Sequence, residues 1–208
     1  MSAPDKSIDP RLLTAAKDEF LSHGFEMASL ADICRKAGVT TGAVYRRYKG
    51  KEDLFAAVVE DTVREMENRI AALSSENNLA SLSDRELYDG FFMMPDINVK
   101  WLKTLFDRKD EFTLLIKCAS GTRYSNFRHE WAQKMNEVVY RYYLEARRRG
   151  MTAKVLTQDE MYILSCAVWS LFYEPFTLNF TWEQLQEHAG FIFSLIDWHK
   201  ALEIVWPE

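Results

Sequence analysis

The stretch SLADICRKAGVTTGAVYRRYKGKEDL, residues 29–54, decides the fold of the N-terminal part of this chain. Ser29 begins a sequence that resembles a helix capping box, with Asp32 in place of the usual Glu or Gln. Gly38 then predicts a tight turn, and Thr40 is a suitable N-cap for another short helix. Two short helices joined by a glycine turn indicate a helix-turn-helix, whose second helix has the right size for the DNA major groove.

The outer face of the second short helix carries side chains of types that contact DNA. Thr40 and Thr41 offer hydroxyl groups, Gly42 permits close approach of the backbone to a base edge, and Tyr45 offers a hydroxyl on a rigid ring. Cations suited to phosphates or guanine follow at Arg46, Arg47 and Lys51. Because the helix is short, we expect specificity to depend on few contacts and on DNA shape. The spacing of Tyr48 from Val44 predicts that Tyr48 faces inward.

Charge is unevenly distributed along the chain. Residues 1–51 contain nine Lys and Arg against six Asp and Glu, a net charge of +3, whereas the whole chain has a net charge of −5. A basic N-terminal segment on an acidic body is typical of a DNA-reading module attached to a part with another role.

Helical patterns continue through the remainder of the chain. Only 8 Gly and 5 Pro occur in 208 residues, which favours long helices over a turn-rich β fold. We predict nine or ten helices, including a long one from about residue 51 to 73 and another from about 124 to 149. The polar segment 74–82 reads as a boundary, and the last two helices are expected at 157–178 and 181–203. Capping boxes begin at Ser83, Thr157 and Thr181.

The N-terminal quarter of the chain resembles the TetR family of transcriptional regulators. The matching residues are Ala15-Ala16, Phe20, Gly24, Ala37-Gly38-Val39, Thr40, Gly42, Val44-Tyr45, Tyr48 and Lys51-Glu52. The chain departs from the family pattern at Cys34, where Ala is usual, at Gly50, where Ser or Asn is common, and in its more basic Arg46-Arg47.

The resemblance implies an all-α fold with a three-helix DNA-binding domain at residues 1–55. A long helix would join it to a ligand-sensing and dimerisation domain at residues 56–208. The expected function is that of a cytoplasmic repressor that binds a palindromic operator as a homodimer and is released by a small, largely apolar effector. The residues expected at the DNA are Ser29, Thr40, Thr41, Gly42, Tyr45, Arg46, Arg47 and Lys51.

An effector cavity is likewise implied by the resemblance rather than by any spacing. Apolar and aromatic side chains with a few polar groups would line it. The candidates are Met94, Trp101, Phe106, Cys118, Trp131, Met135, Tyr142, Trp169 and Phe172. For each of these residues, a place in an ordinary core is the alternative.

By the same resemblance, the last two helices would form a four-helix bundle with their counterparts in a second subunit. Their apolar stripes are Met161, Leu164, Val168, Phe172 and Phe176 on one helix, and Leu185, Ala189, Ile192, Phe193, Ile196 and Ala201 on the other. Such stripes also suit a core.

Other functions are less favoured by the sequence. The C-terminal part could bind a protein instead of a small molecule. An enzyme is a more remote alternative, since the four His residues form no recognisable catalytic or metal motif, and no cofactor is expected. Three scattered Cys suggest a reducing compartment, and neither a signal peptide nor a membrane span is expected. The segment from Gly121 to Phe127 reads as a helix break with a capping Thr and two packing aromatics.

Overall fold

A computed structural model describes residues 8–75, 79–91, 95–195 and 197–206 of the chain, and within these ranges no residue forms a β-strand. The α-helices are α1 Ile8–Met27, α2 Leu30–Ala37, α3 Thr41–Tyr45, α4 Lys51–Ser75, α5 Asp84–Asp89, α6 Pro95–Phe106, α7 Lys109–Thr113, α8 Phe127–Arg148, α9 Gln158–Thr177, α10 Trp182–Leu195 and α11 Trp198–Leu202. The all-α prediction is confirmed. No helix in the described ranges combines the length and apolar character needed to cross a membrane.

The described residues form two compact units. The first contains residues 8–65 and 108–127, and the second contains the described parts of 66–107 and 128–206. The long helix α4 therefore contributes residues to both units. The sequence pattern did not indicate that residues 108–127 belong with the N-terminal helices.

The core of the first unit forms around α1. Leu12, Ala16 and Phe20 recur at helical spacing and are fully buried. The ring of Phe20 meets that of Phe55 on α4 edge-on, with centroids 5.1 Å apart. Gly24, with φ of 71°, interrupts α1 near its end, as expected of a glycine in the left-handed region.

A π-helical turn follows α7 in the first unit. It spans Leu114–Cys118, and four of its five side chains are buried. This turn packs against α1. The next residues form the loop 119–126, in which Thr122 is buried and donates its hydroxyl to the Ala119 carbonyl at 2.7 Å. The Tyr124 ring lies 6.4 Å from Phe55, centroid to centroid. The segment is therefore a helix break in which Tyr124 packs as expected, whereas Thr122 bonds within the loop and caps no helix of the described residues.

In the second unit, α8, α9, α5 and α11 surround an apolar cluster that includes Leu87, Tyr143, Met161 and Leu202, all fully buried. The Tyr143 hydroxyl donates to the Lys154 carbonyl and accepts from the Leu156 amide, each at 2.7 Å. These bonds satisfy the one polar atom that this side chain brings into the core.

Helix capping follows the sequence closely. The capping boxes of Ser83 with Glu86 and Thr157 with Glu160 are both formed. At α10, the Thr181 amide donates to the Gln184 side chain at 2.9 Å, and the Gln184 amide donates back to the Thr181 hydroxyl at 3.3 Å. These three predicted helix starts are confirmed.

The prediction of a single last helix over 181–203 is wrong. The chain ends α10 at Leu195 and starts α11 at Trp198. Asp197 caps α11 by accepting a hydrogen bond from the Lys200 amide at 2.9 Å. A short acidic side chain that bonds the backbone ahead of it favours a new helix start over continuation. This break brings the α-helices of the described residues to eleven, above the nine or ten predicted.

Candidate functional site

The helix-turn-helix is formed by α2, a glycine turn and α3. Gly38 adopts φ of 66° and ψ of 37°, and its amide donates to the Arg35 carbonyl at 3.2 Å, which closes α2. Thr40 then caps α3 by accepting from the Ala43 amide at 3.2 Å. Ala43 and Val44 are buried and hold α3 against the unit. The predicted motif is therefore present with its turn and both caps.

A buried carboxylate connects α1 to α2. Glu19 on α1 is 3% exposed and accepts from the Ser29 amide at 3.2 Å and from Lys36 Nζ at 2.6 Å. The hydrogen bond from Lys36 holds the pKa of Glu19 below its ordinary value, against the effect of burial. In an ordinary capping box, the side chain of the third helical residue accepts a hydrogen bond from the amide of the N-cap residue. Here Glu19 accepts this bond from the Ser29 amide, and the Ser29 hydroxyl accepts from the Asp32 amide. The carboxylate fixes both ends of α2.

Five of the residues predicted to contact DNA lie together on one exposed edge. Thr40, Thr41, Gly42, Tyr45 and Arg46 are all exposed, and the Tyr45 side chain is 58% exposed. They run from the N-cap of α3 to the residue after its last turn. Their groups are hydroxyls, an open backbone and a cation, which suit base edges and phosphates.

Three other residues predicted to contact DNA have internal partners. Ser29 caps α2, as described above. Arg47 Nε lies 2.6 Å from a carboxylate oxygen of Asp9, and the Arg47 side chain is only 18% exposed. Lys51 Nζ donates to the carbonyls of Glu26 and Ala28, each at 3.0 Å. These contacts hold α3 and α4 to the two ends of α1, a positioning role that the sequence pattern did not reveal.

Tyr48 is half-buried, and burial is the main cause that raises its pKa. The prediction that it faces inward is consistent with this position.

The loop 119–126 touches the helix-turn-helix unit at the start of α4. The Arg123 amide donates to Glu52 Oε1 at 2.9 Å. A Cβ on Gly121, whose φ is 82°, would lie 3.0 Å from Cγ of Glu26. The loop therefore fits closely beside the end of α1 and the first turn of α4.

A cavity of about 160 Å³ lies within the second unit. Its walls are almost entirely apolar and aromatic. The lining residues are Arg69, Trp101, Trp131, Met135, Val139, Ser165, Val168, Trp169, Phe172 and Trp198.

Five of the nine predicted effector-site residues line this cavity: Trp101, Trp131, Met135, Trp169 and Phe172. Phe106 instead lies against Trp182, with ring centroids 5.4 Å apart, and Tyr142 lies against Phe91 at 6.4 Å. Cys118 is buried in the first unit, at the end of its π-helical turn. Met94 lies outside the described residues. The structure adds five lining residues that were not among the predicted ones: Arg69, Val139, Ser165, Val168 and Trp198.

The apolar stripes expected at a subunit interface are mostly core. Met161, Phe176, Leu185, Ala189 and Ile192 are all buried within the unit. Val168 lines the cavity, whereas Ile196 and the Phe193 side chain lie outside the described part of the chain. These stripes pack inward because α10 packs on α6 and on α9, and because Met161 of α9 joins the apolar cluster of the unit.

Five apolar side chains lie on the outer faces of α9 and α10, and of these only Leu164 belongs to the predicted stripes. They are Ile163, Leu164, Leu171, Phe191 and Leu195, and we call this set the outer stripe. Ile163 is 67% and Phe191 60% exposed. The two helices meet beside it, since His188 Nε2 lies 3.1 Å from the Leu171 carbonyl oxygen. Apolar patches of this kind on neighbouring helices mark interaction surfaces.

The N-terminal part of this chain is similar in sequence to bacterial regulatory proteins. Residues 12–58 match the family model for bacterial regulatory proteins of the tetR family. An uncharacterized HTH-type transcriptional regulator of Pseudomonas putida, TtgW, is 41% identical over 58 residues, or 28% of this chain and 43% of TtgW. The HTH-type transcriptional repressor AcnR of Corynebacterium glutamicum is 32% identical over 111 residues, or 50% of this chain and 56% of AcnR. The chain spans about half the length of the curated relatives it matches.

A solved structure shares the fold over nearly the whole chain. NalD of Pseudomonas aeruginosa, the secondary repressor of the MexAB-OprM multidrug efflux pump, superposes with a TM-score of 0.58 at 23% identity. The match covers 90% of this chain and 95% of NalD.

Proposed function

We propose that this chain, whose residues 12–58 match the tetR family model, is a transcriptional regulator of that family and binds a palindromic operator as a homodimer. In this proposal it acts as a repressor, and a small, largely apolar effector releases it from DNA. The observation that carries the proposal is the exposed edge of α3, with Thr40, Thr41, Gly42, Tyr45 and Arg46 side by side on a short, well-anchored helix.

Direct contact with base edges falls to Thr41, Gly42 and Tyr45, and Arg46 reaches phosphate or guanine. Arg47 and Lys51 act chiefly by positioning α3 and α4, since both are bonded internally. Lys51 Nζ lies 4.6 Å from the Phe25 ring centroid and gives two of its three N–H donors to carbonyls, so one N–H has no carbonyl partner and is available for a phosphate.

Gly42 offers a clean test of close DNA approach. A Cβ at Gly42 would meet only the Thr40 hydroxyl, at 4.0 Å, so Gly42→Ala leaves the fold intact. Gly42→Ala and Thr41→Ala should each weaken binding to a selected operator by roughly 1–3 kcal/mol per lost base contact and leave binding to a scrambled duplex nearly unchanged. Thr14→Ala, an exposed threonine of α1, is the control. An unchanged operator-to-scrambled ratio in both variants would contradict this assignment of α3.

The outer stripe supports the second part of the proposal, a homodimer made by α9 and α10. A two-fold axis through such a pair of helices matches the symmetry of a palindromic operator. Leu164→Glu combined with Leu195→Glu would place two charges in that interface and should yield monomers in sedimentation velocity. Val155→Glu, at an exposed apolar residue outside both helices, is the control and should stay dimeric. A double variant that sediments as an intact dimer would refute the interface.

A further inference from the structure

The cavity of the second unit is lined by four of the chain's six tryptophans: Trp101, Trp131, Trp169 and Trp198. The rings of Trp101 and Trp131 are nearly parallel, with planes 15° apart and centroids at 6.4 Å. The Trp169 ring is tilted by 44° against that of Trp131, with centroids 5.6 Å apart. An aromatic occupant can stack on one indole and meet another edge-on, and these are the two arrangements that aromatic rings prefer.

The volume of the cavity limits that occupant to about one ring. It measures about 160 Å³. An apolar cavity of roughly 150 Å³ holds benzene, whereas sites for drug-sized ligands run from about 300 Å³ upward. One ring with a small substituent is therefore the size that fits.

The wall offers mainly carbon atoms to an occupant. The indole nitrogens of Trp131 and Trp169 are buried, so both rings present carbon atoms to the cavity. Four further lining side chains are apolar: Met135, Val139, Val168 and Phe172. Such a wall favours an apolar occupant, because burial of apolar surface is favourable and burial of unpaired polar groups is costly.

Two lining residues are polar, and both are engaged within the protein. The Ser165 hydroxyl donates to Oδ1 of the buried Asn136 at 3.3 Å, and Asn136 donates in turn to the Gln158 carbonyl at 3.4 Å. The Arg69 guanidinium lies 5.8 Å from the Trp101 ring centroid and takes part in a further interaction within the chain. A charged occupant would lose its hydration among the indoles and would have to compete with these contacts, whereas a neutral apolar occupant does neither.

We propose that this cavity binds neutral compounds with a single aromatic ring and no more than a small apolar substituent, and toluene serves as the probe for this class. The identification of such a compound as the effector rests on the proposed function, whereas the binding site itself does not.

Four probes of similar size separate charge from aromatic character in the full-length protein. Titration calorimetry would follow toluene, methylcyclohexane, benzoate and benzylamine, of which the last two are anionic and cationic at neutral pH. Toluene should bind, and methylcyclohexane should be weaker by about two- to tenfold because it makes no aromatic contacts. Both charged probes should be weaker than toluene by at least about tenfold. Absence of toluene binding, or any of the other three probes binding as tightly as toluene, would overturn the proposal.

A variant that fills the cavity locates the site. Val168→Phe, at a half-buried residue of α9, would place a ring of the protein's own against the indoles and should reduce toluene affinity by at least about tenfold. Val155→Phe, at an exposed valine between α8 and α9, is the matched control and should bind toluene like the unmodified protein. Thermal unfolding of both variants would establish that they are folded. Unchanged toluene affinity in a folded Val168→Phe variant would place toluene elsewhere and overturn the assignment.

A second variant tests the indoles without added bulk. Trp101→Leu keeps an apolar wall but removes one indole face, so the preference for toluene over methylcyclohexane should fall by at least about twofold. Trp182→Leu, at a half-buried tryptophan of α10 that packs against Phe106, is the control and should keep the preference of the unmodified protein. A preference that Trp101→Leu leaves unchanged would refute the role of the indoles.

Operator titrations with and without toluene separate this inference from the proposed function. Toluene binding that fails to release DNA would refute the effector role and leave the site in place. Operator binding by a protein that does not bind toluene would refute the site and leave the regulator in place.

Discussion

Replacing Glu19 by Gln should destabilise the protein by about 2 kcal/mol at neutral pH. The carboxylate accepts charge-assisted hydrogen bonds from Lys36 Nζ and the Ser29 amide. Hydrogen bonds to charged groups contribute roughly 1.5–3 kcal/mol each, whereas Gln retains one neutral acceptor worth about 1 kcal/mol. The Lys36 side chain is 41% exposed and recovers part of its hydration, which lowers the net loss to about 2 kcal/mol. For a chain of this length, that loss corresponds to a fall in Tm of about 4–8 °C.

Thermal unfolding of Glu19→Gln, of Lys36→Met and of the double variant forms a double-mutant cycle, which gives the coupling free energy between the Glu19 and Lys36 side chains. Glu67→Gln, at an exposed carboxylate of α4, is the control and should shift Tm by no more than about 2 °C.

The pH dependence of the Glu19→Gln effect gives an independent check. Because the folded-state pKa of Glu19 lies below its ordinary value of 4.5, its stabilisation is complete well above pH 4.5 and is lost as pH falls through the folded pKa. A difference between Glu19→Gln and the unmodified protein that persisted unchanged into strong acid, or a coupling energy near zero, would refute this reasoning.

Three further changes follow from contacts described above. Lys51→Ala should lower Tm, since Nζ bonds two carbonyls at the end of α1. It should also weaken binding to the operator and to a scrambled duplex equally and reduce the slope of log affinity against log salt concentration by about one. Titrations at two salt concentrations would measure both effects. Gly121→Ala should cost about 1–2 kcal/mol in thermal unfolding, because φ of 82° disfavours a Cβ that would also crowd Glu26, whereas Gly190→Ala has open space and should not. The hydrogen bond that Arg148 donates to Glu145 is the main cause that lowers the pKa of Glu145 to about 2. Glu145 therefore stabilises the fold above pH 4.5, and this contribution is lost as pH falls toward 2. Glu145→Gln should therefore lose on the order of 1–2 kcal/mol at pH 7 after allowance for solvent screening, and little at pH 2. Unfolding curves at both pH values would contradict this if the deficit were the same.

Local signals predicted local structure well in this chain. Ser83, Thr157 and Thr181 each began a helix, and Gly38 with Thr40 set the turn and the start of α3, because each of these effects acts within four residues. The same rules explain the wrong prediction of one helix over 181–203, since Asp197 is also a capping residue and favours a new helix start.

Partners distant in sequence could not be predicted in this way. Arg46 and Arg47 are identical in type and adjacent, yet only Arg47 meets the carboxylate of Asp9, which lies 38 positions earlier. Aromatic composition similarly indicates a cavity but not its members, so the predicted set includes Phe106 and Cys118, which do not line it. Helical periodicity identifies an apolar stripe without saying whether it faces the unit's own core or another surface.

The π-helical turn Leu114–Cys118 is a place where the chain can change its length by one residue. A π turn joins residues five apart in place of four, so it holds one residue more than an α-helical turn. Lys117 is its exposed member, and its removal takes no side chain out of the core. Conversion to an α-helical turn can absorb such a deletion without a shift of α1 or of the loop 119–126. When homologues that differ in length by one residue are aligned with this chain, we expect the single-residue gap to fall in this π-helical turn. An alignment that placed the gap inside α1 would pair the wrong residues.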